Sequence, residues 1–103
     1  MASTRFAIGQ LVHHLKLDYR GVVVDIDLEF GLSDEWYEAV ARSKPPRDQP
    51  WYRVLVHESE QVTYVAERHL EADPVGGQVC HPQIERYFDA FSGKYYARRR
   101  DLN

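Results

Sequence analysis

The chain has a single cysteine, Cys80, so no intrachain disulfide can brace it. No apolar run approaches the ~18 residues of a membrane span. Residues 1–6 lack the apolar stretch of a secretory leader, and the expectation is a soluble cytoplasmic protein in a reducing compartment. No phosphate loop, dinucleotide fingerprint or nucleophile elbow is present. A basic surplus is also missing: 13 Lys and Arg stand against 16 Asp and Glu, a net charge of -3. Domains that grip nucleic acid through its phosphates usually carry the opposite balance.

What is present reads as one globular domain over 1–103. Apolar residues are 44% and charged residues 28%, which argues against wholesale disorder. Surface scaling gives roughly 6,000 Å² folded against about 17,500 Å² unfolded, room for one modest core. Charge is unevenly spread. Between Gly21 and Ala41 there is no Lys or Arg, but there are Asp25, Asp27, Glu29, Asp34, Glu35 and Glu38. After Ile84 come Arg86, Lys94, Arg98, Arg99 and Arg100. An acidic middle is followed by a basic end, and solvated surface is the simplest reading of both.

Residues 6–15 read as a first strand. Turn residues at 18–21 lead into a β-branched run in which Val22, Val24, Ile26 and Leu28 share one face and Val23, Asp25 and Asp27 the other. The two strands predict a hairpin. Ser33 is a good N-cap, and Asp34 and Glu35 suit the first turn of a helix over 34–42. The proline-rich loop at 44–50 is too short to separate domains. Strands over 51–57 and 61–67 predict a second hairpin, with 68–70 turning away. Pro82 at a helix start, with Ile84, Tyr87, Phe88 and Phe91 at helical spacing, predicts a second short helix over 82–91. Residues 95–100 form a short strand or a tail. Together these elements predict a mainly β fold, a small partly open barrel with one inserted helix and a short C-terminal helix.

Catalytic constellations do not emerge. His13 and His14 point to opposite faces of a strand and cannot chelate one ion, and His57, His69 and His81 share no ligand spacing. Cys80 and His81 are sequence neighbours, which rarely achieve thiolate–imidazole geometry. Asp25 and Asp27 share the polar face of their strand and read as solvated. The expectation is a non-enzymatic protein without metal or cofactor. Binding signals are stronger. Trp36 and Tyr37, with Trp51 and Tyr52, flank the proline loop and could line a groove for a peptide or stacked bases. Trp51 reads better as core. Tyr95, Tyr96, Arg98, Arg99 and Arg100 interleave aromatics with cations near the end of the chain and are candidates for contact with phosphate or an acidic surface.

Three blocks occur in order: FAIGQLVHH at 6–14, YRGVVVDID at 19–27, and PWYRVLV at 50–56 followed by TYVAE at 63–67. This pattern resembles the bacterial heat-shock protein HspQ family, also called the YccV-like or hemimethylated-DNA-binding family. It covers about residues 6–70; the stretch over 74–103 is variable, and the resemblance assigns no residue there. It implies an SH3-like barrel in a cytoplasmic, stress-induced, non-enzymatic protein that tends to self-associate. It further implies a role in degrading denatured or unstable proteins, including the replication initiator DnaA, by modulating an ATP-dependent protease such as Lon. The alternative role is binding of hemimethylated DNA. The acidic middle would repel a phosphate backbone, which favours protein partners.

Overall fold

The computed structural model describes residues 3–99. Its centre is an open five-stranded antiparallel sheet: β1 (Leu11–His14), β2 (Arg20–Asp27), β3 (Trp51–Val56), β4 (Val62–Ala66) and β5 (Leu70–Ala72), in the order β4-β3-β2-β1-β5. The mainly β class expected from the sequence is what the chain forms, and β4 and β5 remain unjoined edges. Both expected hairpins are present, β1 with β2 and β3 with β4. Helix α1 (Asp34–Val40) lies between them in sequence. Ser33 caps it, its hydroxyl accepting from the Trp36 N–H at 3.1 Å.

A bulge falsifies the simple alternation of β2. Val23 pairs with Val54, but Asp25 pairs with Arg53, so Val24 is the extra residue. Val22, Val23 and Val24 are therefore all buried. Val23 faces a cluster with Phe6, Val12, Tyr52, Val54, Val65 and Leu70. Val22 and Val24 face a second cluster with Leu11, Leu55, Val79, Phe88 and Tyr96. Ile26 packs on the first cluster instead of the face shared by Val22 and Val24. Leu28, expected on the apolar face, lies beyond the strand and is exposed.

The segment after β5 covers the second face. Arg20 ties down its start. Its Nε pairs with the Asp73 carboxylate at 3.0 Å, and its Nη atoms donate to the carbonyls of Gly76, Gly77 and Gln78. The Asp73 side chain is 1% exposed, so this is a desolvated ion pair. Asp73 also accepts from the N–H groups of Val75 and Gly76. At the far end, Gly9 and Tyr96 meet backbone to backbone, Tyr96 N donating to Gly9 O at 2.8 Å. Gly9 has φ 92°, and a Cβ there would stand 2.1 Å from the Tyr96 oxygen, so only glycine fits.

The C-terminal helix departs from expectation. The helical region expected over 82–91 is a single turn, α2 (Ile84–Tyr87), followed by strand β6 (Phe88–Phe91), which pairs with β7 (Tyr96–Arg98). Phe88 and Tyr96 must both reach the second cluster, and a two-stranded ribbon presents both. Two further corrections are local. The first strand begins at Leu11, not residue 6, and residues 67–69 form a 3-10 turn leading into β5. No helix among the described residues is long and apolar enough to cross a membrane.

Candidate functional site

A groove of about 720 Å³ runs along β4, and all five residues of that strand line it. Successive strand residues point to opposite faces, so a wall of consecutive residues is the strand's edge. The ladder register agrees. Glu67 N donates to Pro50 O and Val56 N donates to Gln61 O. Bonded pairs alternate in an antiparallel ladder, so Thr63 and Val65 bond to β3. The N–H and C=O groups of Val62 and Tyr64 point outward, with no backbone partner among the described residues.

The opposite wall comes from two places. Helix α1 and its end supply Trp36, Val40 and Ala41; the β1–β2 turn supplies Lys16 and Leu17. Leu17 is 70% exposed, Val40 55% and Val62 44%, so apolar surface stands open to water here. The turn is shaped by His14, whose Nδ1 accepts from the N–H groups of Lys16 and Leu17 at 3.1 and 3.0 Å. Tyr19 and Thr63 share a 2.6 Å hydrogen bond from β1–β2 turn to β4.

Aromatic packing fixes the helix wall. Trp51 is 2% exposed, as expected for core, and Tyr64 stacks on it with centroids 5.2 Å apart. Phe30 meets Trp51 and Tyr37 edge-on. The proline loop is pinned from inside: Tyr37 donates its hydroxyl to Pro45 O at 2.7 Å, and Trp51 Nε1 donates to Pro46 O at 3.1 Å. The Tyr64 hydroxyl donates to Asp27 at 2.6 Å and accepts from Gly31 N. Burial, followed by the bond to Asp27, pushes its pKa up to about 12.

Among the described residues, the charged groups lining the groove are Lys16, Arg42 and Arg53, with His14 and His69 beside them, and no carboxylate lines it. Burial holds both histidines below the usual imidazole range, helped for His14 by His69 and for His69 by Arg68. Arg53 lies over the Tyr64 ring, 4.9 Å from its centroid. Half of the acidic middle is answered by cations: Asp34 bonds Arg47, Glu38 bonds Lys44, and Asp25 lies 3.8 Å from Arg53. Asp27, read from the sequence as solvated, is held by Tyr64.

The residues singled out in the sequence divide between two places. Trp36 lines the groove, half-buried; Tyr37 lies behind it, buried, with its hydroxyl spent on the proline loop. Among the described residues, none beyond His69 contributes to the groove. Tyr95 is exposed, but Tyr96 is buried in the second cluster, its hydroxyl accepting from Val79 N at 2.8 Å. Arg98 is exposed, whereas Arg99 donates to Glu85 O; Arg100 lies outside the described residues. Cys80 is exposed. Both His81 nitrogens are used: Nε2 lies 3.0 Å from Gln61 O and Nδ1 accepts from Gln83 N. His13 lies on the face opposite His14, with its nitrogens 2.7 Å from Asp18 and Glu71 oxygens.

Lys16, Leu17, Val40, Arg42, Arg53 and Val62 carry no motif that marks them as a group. The strand at 61–67 is visible in sequence, but its place at the sheet's edge follows from which strand pairs with which. A family model described as "Hemimethylated DNA-binding protein YccV like" matches residues 4–95. With nearly the whole chain matched, the protein belongs to the YccV-like family.

Proposed function

We propose that this protein is a non-enzymatic proteostasis factor, which docks unstable or denatured proteins and modulates their degradation by an ATP-dependent protease such as Lon. The observation that carries the reading is the open edge of β4 beside exposed Leu17, Val40 and Val62. Folded proteins usually blunt such edges, and an unblunted one is a template for another chain. Unfolded clients offer extended backbone and apolar side chains, which suit that template. The test is degradation of a model substrate by purified Lon with and without this protein, using DnaA and a denatured protein as clients. A changed rate for either client supports the reading; unchanged rates for both overturn it.

A second reading, binding of hemimethylated DNA, is favoured by the family's description and by Arg98, exposed at the end of β7. A gel shift with hemimethylated and fully methylated duplexes at about 50 and about 200 mM salt separates the two. The DNA reading expects preferential retention of the hemimethylated duplex, a steep fall with salt, and loss in the Arg98→Ala/Arg99→Ala/Arg100→Ala variant. Absence of a shift at the lower salt removes it.

A further inference from the structure

We infer that the groove takes an extended peptide as a sixth strand on β4, and that the preferred peptide carries apolar and acidic side chains. This rests on the protein-docking reading above but specifies what is docked and how. Three observations fix the chemistry. Val62 and Tyr64 turn two N–H donors and two C=O acceptors outward, the spacing a strand running beside β4 would satisfy. Alternate side chains of such a strand fall on the two faces of the sheet. Tyr64 faces Trp36 and Arg53, and Thr63 bonds Tyr19 in the turn that carries Lys16 and Leu17, so apolar surface and cations lie on both sides. Lys16, Arg42 and Arg53 line the groove, Arg53 with Asp25 at 3.8 Å, and among the described residues no carboxylate does, in a chain whose net charge is -3. Cations lining a groove on an acidic protein select acidic side chains and repel basic ones.

The geometry also limits length. Ala66 and Ala41 share a buried cluster with Tyr37 and Trp51 at the helix end. The segment over 41–43 is fastened there, Arg68 donating to Ser43 O at 2.9 Å and Ser43 Oγ lying 3.2 Å from His69 Nε2. β4 has five residues, so the bound stretch spans about five residues at ~3.4 Å each.

The probe is a fluorescein-labelled six-residue peptide of valine alternating with glutamate, followed by fluorescence anisotropy at neutral pH. Three companion peptides carry lysine for glutamate, N-methyl groups on alternate backbone nitrogens in one register, and N-methyl groups in the other register. Expected is saturable binding of the acidic peptide that weakens with salt. The lysine peptide should bind about tenfold more weakly, and so should N-methylation in one register only. Val62→Pro removes an outward N–H and no ladder bond, and should weaken binding similarly; Arg53→Gln should narrow the gap between the acidic and lysine peptides. No binding of the acidic peptide up to about 1 mM overturns the inference, as does equal affinity for both N-methyl registers. The register comparison uses the native protein, so it stands even if Val62→Pro fails to fold. Peptide binding with unchanged degradation rates would sink the protease reading alone. Stimulation of Lon without any peptide binding would sink the groove alone.

Discussion

The two edges of the sheet are treated in opposite ways. β5 is three residues long and runs directly into Asp73, where a buried ion pair with Arg20 fixes the following loop. Arg20 then spends its remaining donors on the carbonyls of that loop. β4 is longer, carries exposed Val62, and meets a groove in place of a strap. One edge is shortened and locked by a polar hub; the other is left open. Since an open edge is a standing aggregation hazard, its retention beside apolar, cationic walls argues for use.

The largest test breaks the locked edge. Arg20→Met keeps the aliphatic stem but leaves the Asp73 carboxylate buried without its cation. Removing one partner of a buried pair costs about 3–5 kcal/mol. Urea unfolding should show a loss of that size, and amide exchange should accelerate over 75–79. A loss below ~1 kcal/mol would mean that the pair is solvated in solution and behaves as a surface salt bridge.

Next in size is the support of the open edge. Tyr64→Phe keeps the ring on Trp51 but leaves Gly31 N–H and Asp27 without the hydroxyl. Losing one member of a partly buried hydrogen-bonded set costs about 1–3 kcal/mol. The strand itself should survive, so peptide affinity should fall less than stability does. Unchanged urea midpoints would show that the Asp27–Tyr64–Gly31 link is not formed.

Much of this contrast was hidden in the sequence, for reasons of topology and scale. The strands at β2, β3 and β4 were legible because β-branched runs bounded by turn residues mark them locally. The bulge at Val24 was not: three consecutive valines satisfy either face, and only pairing with β3 decides. β5 is too short to show a period, and Arg20 and Asp73 lie more than fifty positions apart. Phe88 and Phe91 fit helical spacing, yet pairing with β7 places them in strand β6. Trp36 was recognisable as a groove residue because it flanks the proline loop. The cations opposite it were not, since Lys16, Arg42 and Arg53 come from three separate segments.

Adjacent histidines sharpen the comparison through pH. His13 belongs to the locked side: bonds from Asp18 and then Glu71 raise its pKa above 6.5. His14 belongs to the groove side, where burial lowers its pKa below 6.5. The raised group contributes stability that is fully present below pH 6.5 and is lost as pH rises through its folded value. The lowered group contributes stability present above pH 6.5 and lost as pH falls through its folded value, when its Nδ1 can no longer accept from Lys16 and Leu17. His13→Gln should therefore flatten the decline in urea midpoint above pH 6.5, and His14→Gln the decline below it. The same slope change in both variants would contradict the assignment of the two rings to opposite environments.

The smallest expected effect is the most informative about the open edge. Val62 is 44% exposed, and its backbone groups face away from β3. Val62→Lys acts at an exposed edge position whose long side chain can reach water, so stability should shift by no more than about 0.5 kcal/mol in urea unfolding. Lysine is also the residue with which natural edge strands discourage pairing. If the native protein self-associates through β4, light scattering across a concentration series should show less association in the variant. The two readouts separate two causes of exposure. An edge kept open for a partner tolerates the substitution and loses association, whereas an edge sealed by its own side chains loses stability first. A fall of more than about 1 kcal/mol would mean that Val62 packs as core and that the groove is closed in solution.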